Sequence, residues 1–152
     1  LGGEYRTLQS GAAAIAAGQF EERSGTTRLN GCCQISFGGS IGLDYGEQGF
    51  SYCNWETDLM SIDARPYKAL CFSVRGEKGG ERPNIYLDDG SVRRCFRTKE
   101  MPPITDQWQR IRIPLESYAK MGIDLSRLAA MQIGFEWEEM SGTIYLDDIE
   151  FE

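Results

Sequence analysis

The chain reads as an all-β protein, a β-sandwich jelly roll of two packed antiparallel sheets, on three observations. Short runs rich in β-branched and aromatic residues alternate apolar with polar side chains, the period of two expected of half-buried strands. The chain's 18 glycines fall between these runs, where turns belong. Several such runs recur at roughly 8–12-residue intervals, the spacing of sandwiches and barrels. An up-and-down barrel is the competing architecture. No internal repeat, low-complexity tract or long linker interrupts residues 1–152, which therefore read as one domain.

Residues 7–20 admit either small-residue strands or a short helix, while 34–37, 41–45 and 50–58 have strand composition. Residues 68–75 (KALCFSVR) set Leu70, Phe72 and Val74 against Cys71, Ser73 and Arg75, a half-buried strand. GEKGG at 76–80 reads as a turn, 84–88 (NIYLD) as a strand, Asp89-Gly90 as a tight hairpin turn and 92–98 as the returning strand. In 107–114, Ile111 and Ile113 face inward and Arg110 and Arg112 outward, and Pro114 ends the ladder because it has no N–H to give. A short helical or looping piece follows over 115–128, broken by Gly122 and by an Asp124-Leu125-Ser126 turn. Residues 130–137 set Met131, Ile133, Phe135 and Trp137 against Gln132, Gly134 and Glu136. Ser141-Gly142 makes the last turn and 143–151 the closing strand, and Trp108 and Trp137, in inward-facing runs, are assigned to the core.

Composition excludes several functions. The 16 Lys and Arg against 23 Asp and Glu give a net charge of −7, the wrong sign for the phosphate backbone of nucleic acid. The absence of histidine removes Ser-His and Cys-His nucleophile pairs and imidazole metal sites. No apolar run approaches the roughly 18 residues of a membrane span. The chain begins at Leu1 with no basic stretch leading into an apolar one, as expected if a signal has been removed or if this is a piece of a longer protein. The five cysteines form no CxxC pair and read as buried, inert thiols. The disulfide that neighbouring β-segments would favour joins Cys32 or Cys33 to Cys53.

Signatures of catalysis fail one after another. Gly-rich 76–80 lacks the G-x-G-x-x-G spacing and a following helix. Glu56-Thr57-Asp58 begins the E-x-D-x-x-E pattern of laminarinase-like glycosidases, and Ser61 stands where the acid/base glutamate should be. The chain reads as no enzyme. Arg93, Arg94, Arg97 and Lys99 form a basic strand that is either a solvated face balanced by Asp88, Asp89 and Glu100 or a clamp for acidic glycans. In the closing strand, adjacent Asp147 and Asp148 should point to opposite faces, forcing one inward. Such a carboxylate needs backbone amides, an arginine or a cation, and an all-oxygen site favours Ca²⁺.

Several segments carry a resemblance: Tyr67-x-Ala69-Leu70-x-Phe72-x-Val74-x-Gly76, the Gly79 to Glu81 turn and the Trp108-x-x-x-x-Ile113-Pro114-Leu115 strand end. To these are added Gly122-x-Asp124-Leu125-Ser126 and the terminal Ile144-Tyr145-Leu146-Asp147-Asp148-Ile149-x-Phe151. In this order they resemble non-catalytic carbohydrate-binding modules of the β-jelly-roll, galactose-binding-like type. They are also similar to the jelly-roll domain of the complex I intermediate-associated protein. The resemblance covers residues 60–152 well. It implies a sandwich, a structural Ca²⁺ near the last strand and glycan binding on a sheet face or edge loops. By position, Asp147 matches the family's calcium carboxylate with Asp148 beside it, and Glu4, Glu21 or Glu22 could supply the N-terminal ligand.

Sugar binding requires an accessible aromatic ring against which pyranose C–H groups pack, with planar polar side chains alongside. Tyr52, Trp55 and Tyr86 are the candidate rings, and Arg75, Asp88, Gln132 and Glu136 the candidate hydrogen-bonding partners. The expected partner is a polysaccharide or oligosaccharide, and the expected setting is an extracellular or cell-surface module attached to a larger multidomain protein. The alternative is a protein-interaction or assembly domain with no glycan ligand.

Overall fold

The computed structural model describes residues 5–10, 13–20, 32–39, 42–44, 49–97, 100–135 and 141–152. The strands are β1 (Tyr5–Ser10), β2 (Ala13–Phe20), β3 (Cys32–Gly39), β4 (Gly42–Asp44), β5 (Gly49–Ile62), β6 (Ala69–Gly76), β7 (Asn84–Asp88), β8 (Arg93–Phe96), β9 (Gln109–Pro114), β10 (Leu128–Phe135) and β11 (Gly142–Phe151). A single helix among the described residues, α1 (Leu115–Lys120), follows Pro114 and buries Leu115 and Tyr118. Of residues 7–20, open between helix and strand in the sequence, 7–10 belong to β1 and 13–20 to β2.

The strands form two sheets. The first runs β1-β5-β10-β7-β8, with short β4 pairing the start of β5, and the second runs β2-β3-β11-β6-β9. Every strand pairing among the described residues is antiparallel. This is the sandwich anticipated from the sequence. One apolar core fills the space between the sheets, taking Trp55, Ile85, Ile133 and Phe135 from the first and Ile35, Phe72, Val74, Ile113 and Leu146 from the second. Phe37 of β3 and Phe135 of β10 stack across it, ring centroids 3.6 Å apart and 12° from parallel. The buried Tyr118 hydroxyl donates to the Ile85 carbonyl at 2.9 Å, so α1 packs beside the edge strands β8 and β9 of the two sheets with its polar group satisfied.

Two bulges break the strict alternation. In β5, Met60 and Ser61 have φ of 53° and 57°, a left-handed pair that slips the register with β10 between Asp58 and Ile62. In β11, Asp148 has φ 49°, and the register against β6 shifts between Asp147 and Glu150. Asp147 lies opposite Ser73, whose side chain points away from the core, and the Ser73 hydroxyl donates to Asp148 Oδ2 at 3.2 Å. Both carboxylates therefore stand on the outer side of the second sheet. The expectation that they point to opposite faces fails because the extra residue of the bulge cancels the period of two.

Two further expectations are corrected. No cysteine is joined in a disulfide, so the bridge from Cys32 or Cys33 to Cys53 is not formed. Trp108 is half-buried outside the core, its ring centroid 5.6 Å from the Arg75 guanidinium. Trp137 lies outside the described residues.

Candidate functional site

The first sheet turns a polar face to the outside. Along β5, Cys53, Trp55, Thr57 and Leu59 are buried toward the core, so Tyr52, Asn54, Glu56 and Asp58 project outward. The register carries this face across the sheet: Arg6 is opposite Glu56, Glu56 opposite Gln132, Gln132 opposite Tyr86, and Tyr86 opposite Cys95. The adjacent row holds Leu8, Asn54, Gly134 and Asn84.

The middle of this face is recessed. Gln132 on the central strand is 0% exposed and Glu56 4%, although neither points into the core. They are held by a chain of polar contacts: the Arg6 guanidinium pairs with Glu56 Oε1, and Gln132 Nε2 donates to Glu56 Oε2. A carboxylate taken out of water needs such partners, and these use one of its oxygens each. Gln132 Oε1 and Asn54 Oδ1 are buried without a hydrogen-bond partner.

Gly134 allows close approach here. A Cβ at this position would lie 2.6 Å from Asn54 Oδ1 and 2.8 Å from Tyr86 Cε2, so the amide oxygen and the ring occupy the space a side chain would fill. Tyr86 is half-buried, and Tyr52 is 39% exposed at the other end of the face. Four residues along β5 and two strands across separate them, about 16 Å between Cα atoms, room for an extended ligand rather than a single ring.

The candidate residues distribute as follows. Tyr52, Tyr86, Asp88 and Gln132 share this face. Asp88 is engaged in its own hairpin, accepting from the Gly90 N–H at 2.7 Å and from Arg93 Nε at 3.0 Å. Trp55 does not join them: it is 3% exposed, turned into the core and tilted against Tyr5 with ring centroids 5.9 Å apart. Arg75 does not join them either, because it stands on the outer side of the second sheet with its guanidinium 3.8 Å from the Tyr145 ring centroid. Glu136 lies outside the described residues. Arg6, Asn54, Asn84 and Gly134 were not singled out from the sequence, and Glu56 was noticed only as the start of a glycosidase pattern that fails at Ser61. The alternation Tyr52-Asn54-Glu56-Asp58 against Cys53-Trp55-Thr57-Leu59 was the available signal for the two on β5.

Elsewhere, a recess of about 450 Å³ opens between Ser36, Thr143 and the loop carrying Lys78 and Glu81. The buried Glu81 carboxylate accepts the Lys78 N–H through Oε1 at 3.0 Å, while Oε2 is packed against Gly76 and sealed from the opening. Asp147 and Asp148 remain a pair. Burial, and secondarily the neighbouring Asp148 charge, hold the Asp147 pKa above the usual carboxylate value. Among the described residues no three ligating side chains converge there or anywhere else. Two carboxylates would supply only part of the six to eight oxygens that Ca²⁺ takes, the rest coming from backbone carbonyls or water.

Comparison with known proteins adds to this geometry. The family profile described as "Carbohydrate binding domain 30" matches residues 11–152. A family 11 carbohydrate-binding module from Clostridium thermocellum, solved in complex with a β-1,3-1,4-mixed-linked tetrasaccharide, superposes with a TM-score of 0.75 at 12% identity, covering 97% of this chain and 87% of that one. The family 30 module of a cellulosomal cellulase of Clostridium thermocellum gives 0.69 at 15% identity, covering 97% of each chain. A β-1,2-glucanase from Parabacteroides distasonis gives 0.66 at 15% identity, with 97% of this chain matching 22% of that one. Comparison with curated proteins finds no match.

Proposed function

The chain belongs to the carbohydrate binding domain 30 family, and from that premise we propose that the outer face of the first sheet is where it holds a glycan. The observation that carries this reading is the shared outward register of Tyr52, Asn54, Glu56, Gln132 and Tyr86. Rings stand at either side, and amides and a carboxylate lie between them. Saccharides are bound by C–H packing on ring faces together with planar hydrogen-bonding groups, and this face offers both. Mixed-linked β-glucan, the ligand of the family 11 relative, is the first polysaccharide to try.

The same premise supports a module that binds sugar without transforming it. Attachment to a larger secreted or surface protein is the natural setting, since the family 30 relative is part of a cellulosomal cellulase. A weak single site gains effective concentration when linked to a catalytic domain. No helix among the described residues is long and apolar enough to cross a membrane. A Ca²⁺ near the last strand would draw on Asp147 and Asp148 and would hold strands together rather than touch sugar.

Affinity electrophoresis against mixed-linked β-glucan, cellulose derivatives and polygalacturonate tests the proposal. Retardation by at least one neutral glucan is expected. Tyr52→Ala should weaken it about ten-fold with the melting temperature unchanged, because the ring is exposed. A chain that migrates unretarded through every gel would overturn the reading and leave the face to a protein partner.

A further inference from the structure

The recessed centre of the face carries more than a place to bind. Glu56 can only accept hydrogen bonds, so the end of the Gln132 amide turned toward it must be the NH₂ group. Oε1 is the other end of that amide, and Tyr86 stands opposite Gln132 on β7. In the next row Asn54 Oδ1 lies over the bare main chain of Gly134, and the Tyr86 ring closes over the same point. Two carbonyl oxygens, on residues 5% and 0% exposed, thus have no donor, one meeting the half-buried Tyr86 ring at Gly134 and the other on the residue paired with Tyr86 across the strands. Folded proteins rarely leave such groups unpaired.

We propose that Asn54 and Gln132 are the specificity-determining acceptors of this site, uncovered when the Tyr86 ring lifts from Gly134, and that they commit the face to neutral, hydroxyl-rich glycans over uronate-bearing ones. The proposal rests on the carbohydrate-binding reading above. A sugar hydroxyl supplies the proton each oxygen lacks, whereas a carboxylate brings only further lone pairs. The guanidinium groups of Arg6 and Arg93, which could have welcomed a uronate, are engaged by Glu56 and Asp88. Of the basic strand that the sequence offered as a clamp for acidic glycans, Arg93 is thus held by Asp88, and Lys99 lies outside the described residues.

The test is calorimetric titration of the full chain with two probes of equal length, a mixed-linked β-glucan tetrasaccharide and a tetragalacturonide, for the parent and Asn54→Leu, with melting temperatures alongside. The parent should take the neutral probe at least ten-fold more tightly than the acidic one. Asn54→Leu should lose about ten-fold in affinity for the neutral probe while melting no lower than the parent, because it deletes an acceptor that has no partner to lose. A residue that merely supports the fold would lower both together. Equal affinity for the two probes, an Asn54→Leu variant that binds like the parent, or one whose melting temperature falls with its affinity, would each overturn this inference while leaving glycan binding intact. Failure of the parent to bind either probe would overturn both readings.

Discussion

Trp55 shows how one residue's position in the pleat decides its role. Its ring lies against the core beside Tyr5, and burial pushes the adjacent Cys33 thiol up to about 11. Truncating a large buried aromatic leaves a cavity that the sandwich can only partly close, so Trp55→Ala should cost about 3–5 kcal/mol in urea unfolding. Trp55→Phe should retain most of the stability, since it keeps a buried aromatic ring and gives up only the indole N–H, whose one polar neighbour is the weakly accepting Cys33 thiol. Little change in the unfolding midpoint of the alanine variant would contradict the inward placement. Residue composition alone misled here: the polar neighbours in SYCNWE made Trp55 look like an accessible ring, and only the alternation through Leu59 reveals that it shares the apolar side. Tyr52, Tyr86, Asp88 and Gln132 were legible because each sits at a polar position of an alternating strand. Arg75 obeys the same rule, yet periodicity does not say which sheet a strand enters.

At the scale of elements, turn chemistry fixes how the β7–β8 hairpin meets the rest of the chain. The Asp89 carboxylate accepts the Ser91 and Val92 N–H groups through Oδ1 and the Asp124 N–H through Oδ2, each at 2.8 Å. It therefore clasps the hairpin to the segment leading into β10. These amides favour the ionised form, led by that of Asp124, and hold the Asp89 pKa below its ordinary value. A carboxyl group with a depressed folded pKa contributes stability that is present above its unfolded value, near 3.9, and is lost as pH falls through the folded one. Asp89→Asn should accordingly melt about 5 °C below the parent at pH 7, with the gap narrowing below about pH 4. A gap that stays constant down to pH 2 would show that the amides do not select the charged form. Asp89-Gly90 was readable as a turn because the residue types demand it, whereas the bulges at Met60-Ser61 and Asp148 were not. A left-handed φ at a non-glycine residue has no composition signature, and the one at Asp148 reverses the side on which its carboxylate falls.

At the scale of the whole molecule, strand order is what assembles the site. Residues 6, 56, 132 and 86 share one row only because β5 and β10 adjoin in the middle of the first sheet. The strands could be found from periodicity, but nothing local specifies that Glu56 meets Gln132, and the row was therefore invisible before the topology was known. The same topology bears on the cysteines. Cys33 and Cys53 enter the core region from opposite sheets, and burial raises each thiol to about 11, a state in which almost none is thiolate at neutral pH. Cys71 is raised for the same first reason, with the neighbouring Glu152 acting in the same direction. A chain of 152 residues buries enough apolar surface to hold its fold without covalent staples. The melting temperature should therefore be the same with and without a strong reductant. A maleimide at pH 7 should label half-exposed Cys95 ahead of buried Cys32, Cys53 and Cys71, which should react only as the protein unfolds. A drop of several degrees on reduction would mean that two of these thiols are joined in solution, and would transfer part of the stability from the shared core to a cross-link.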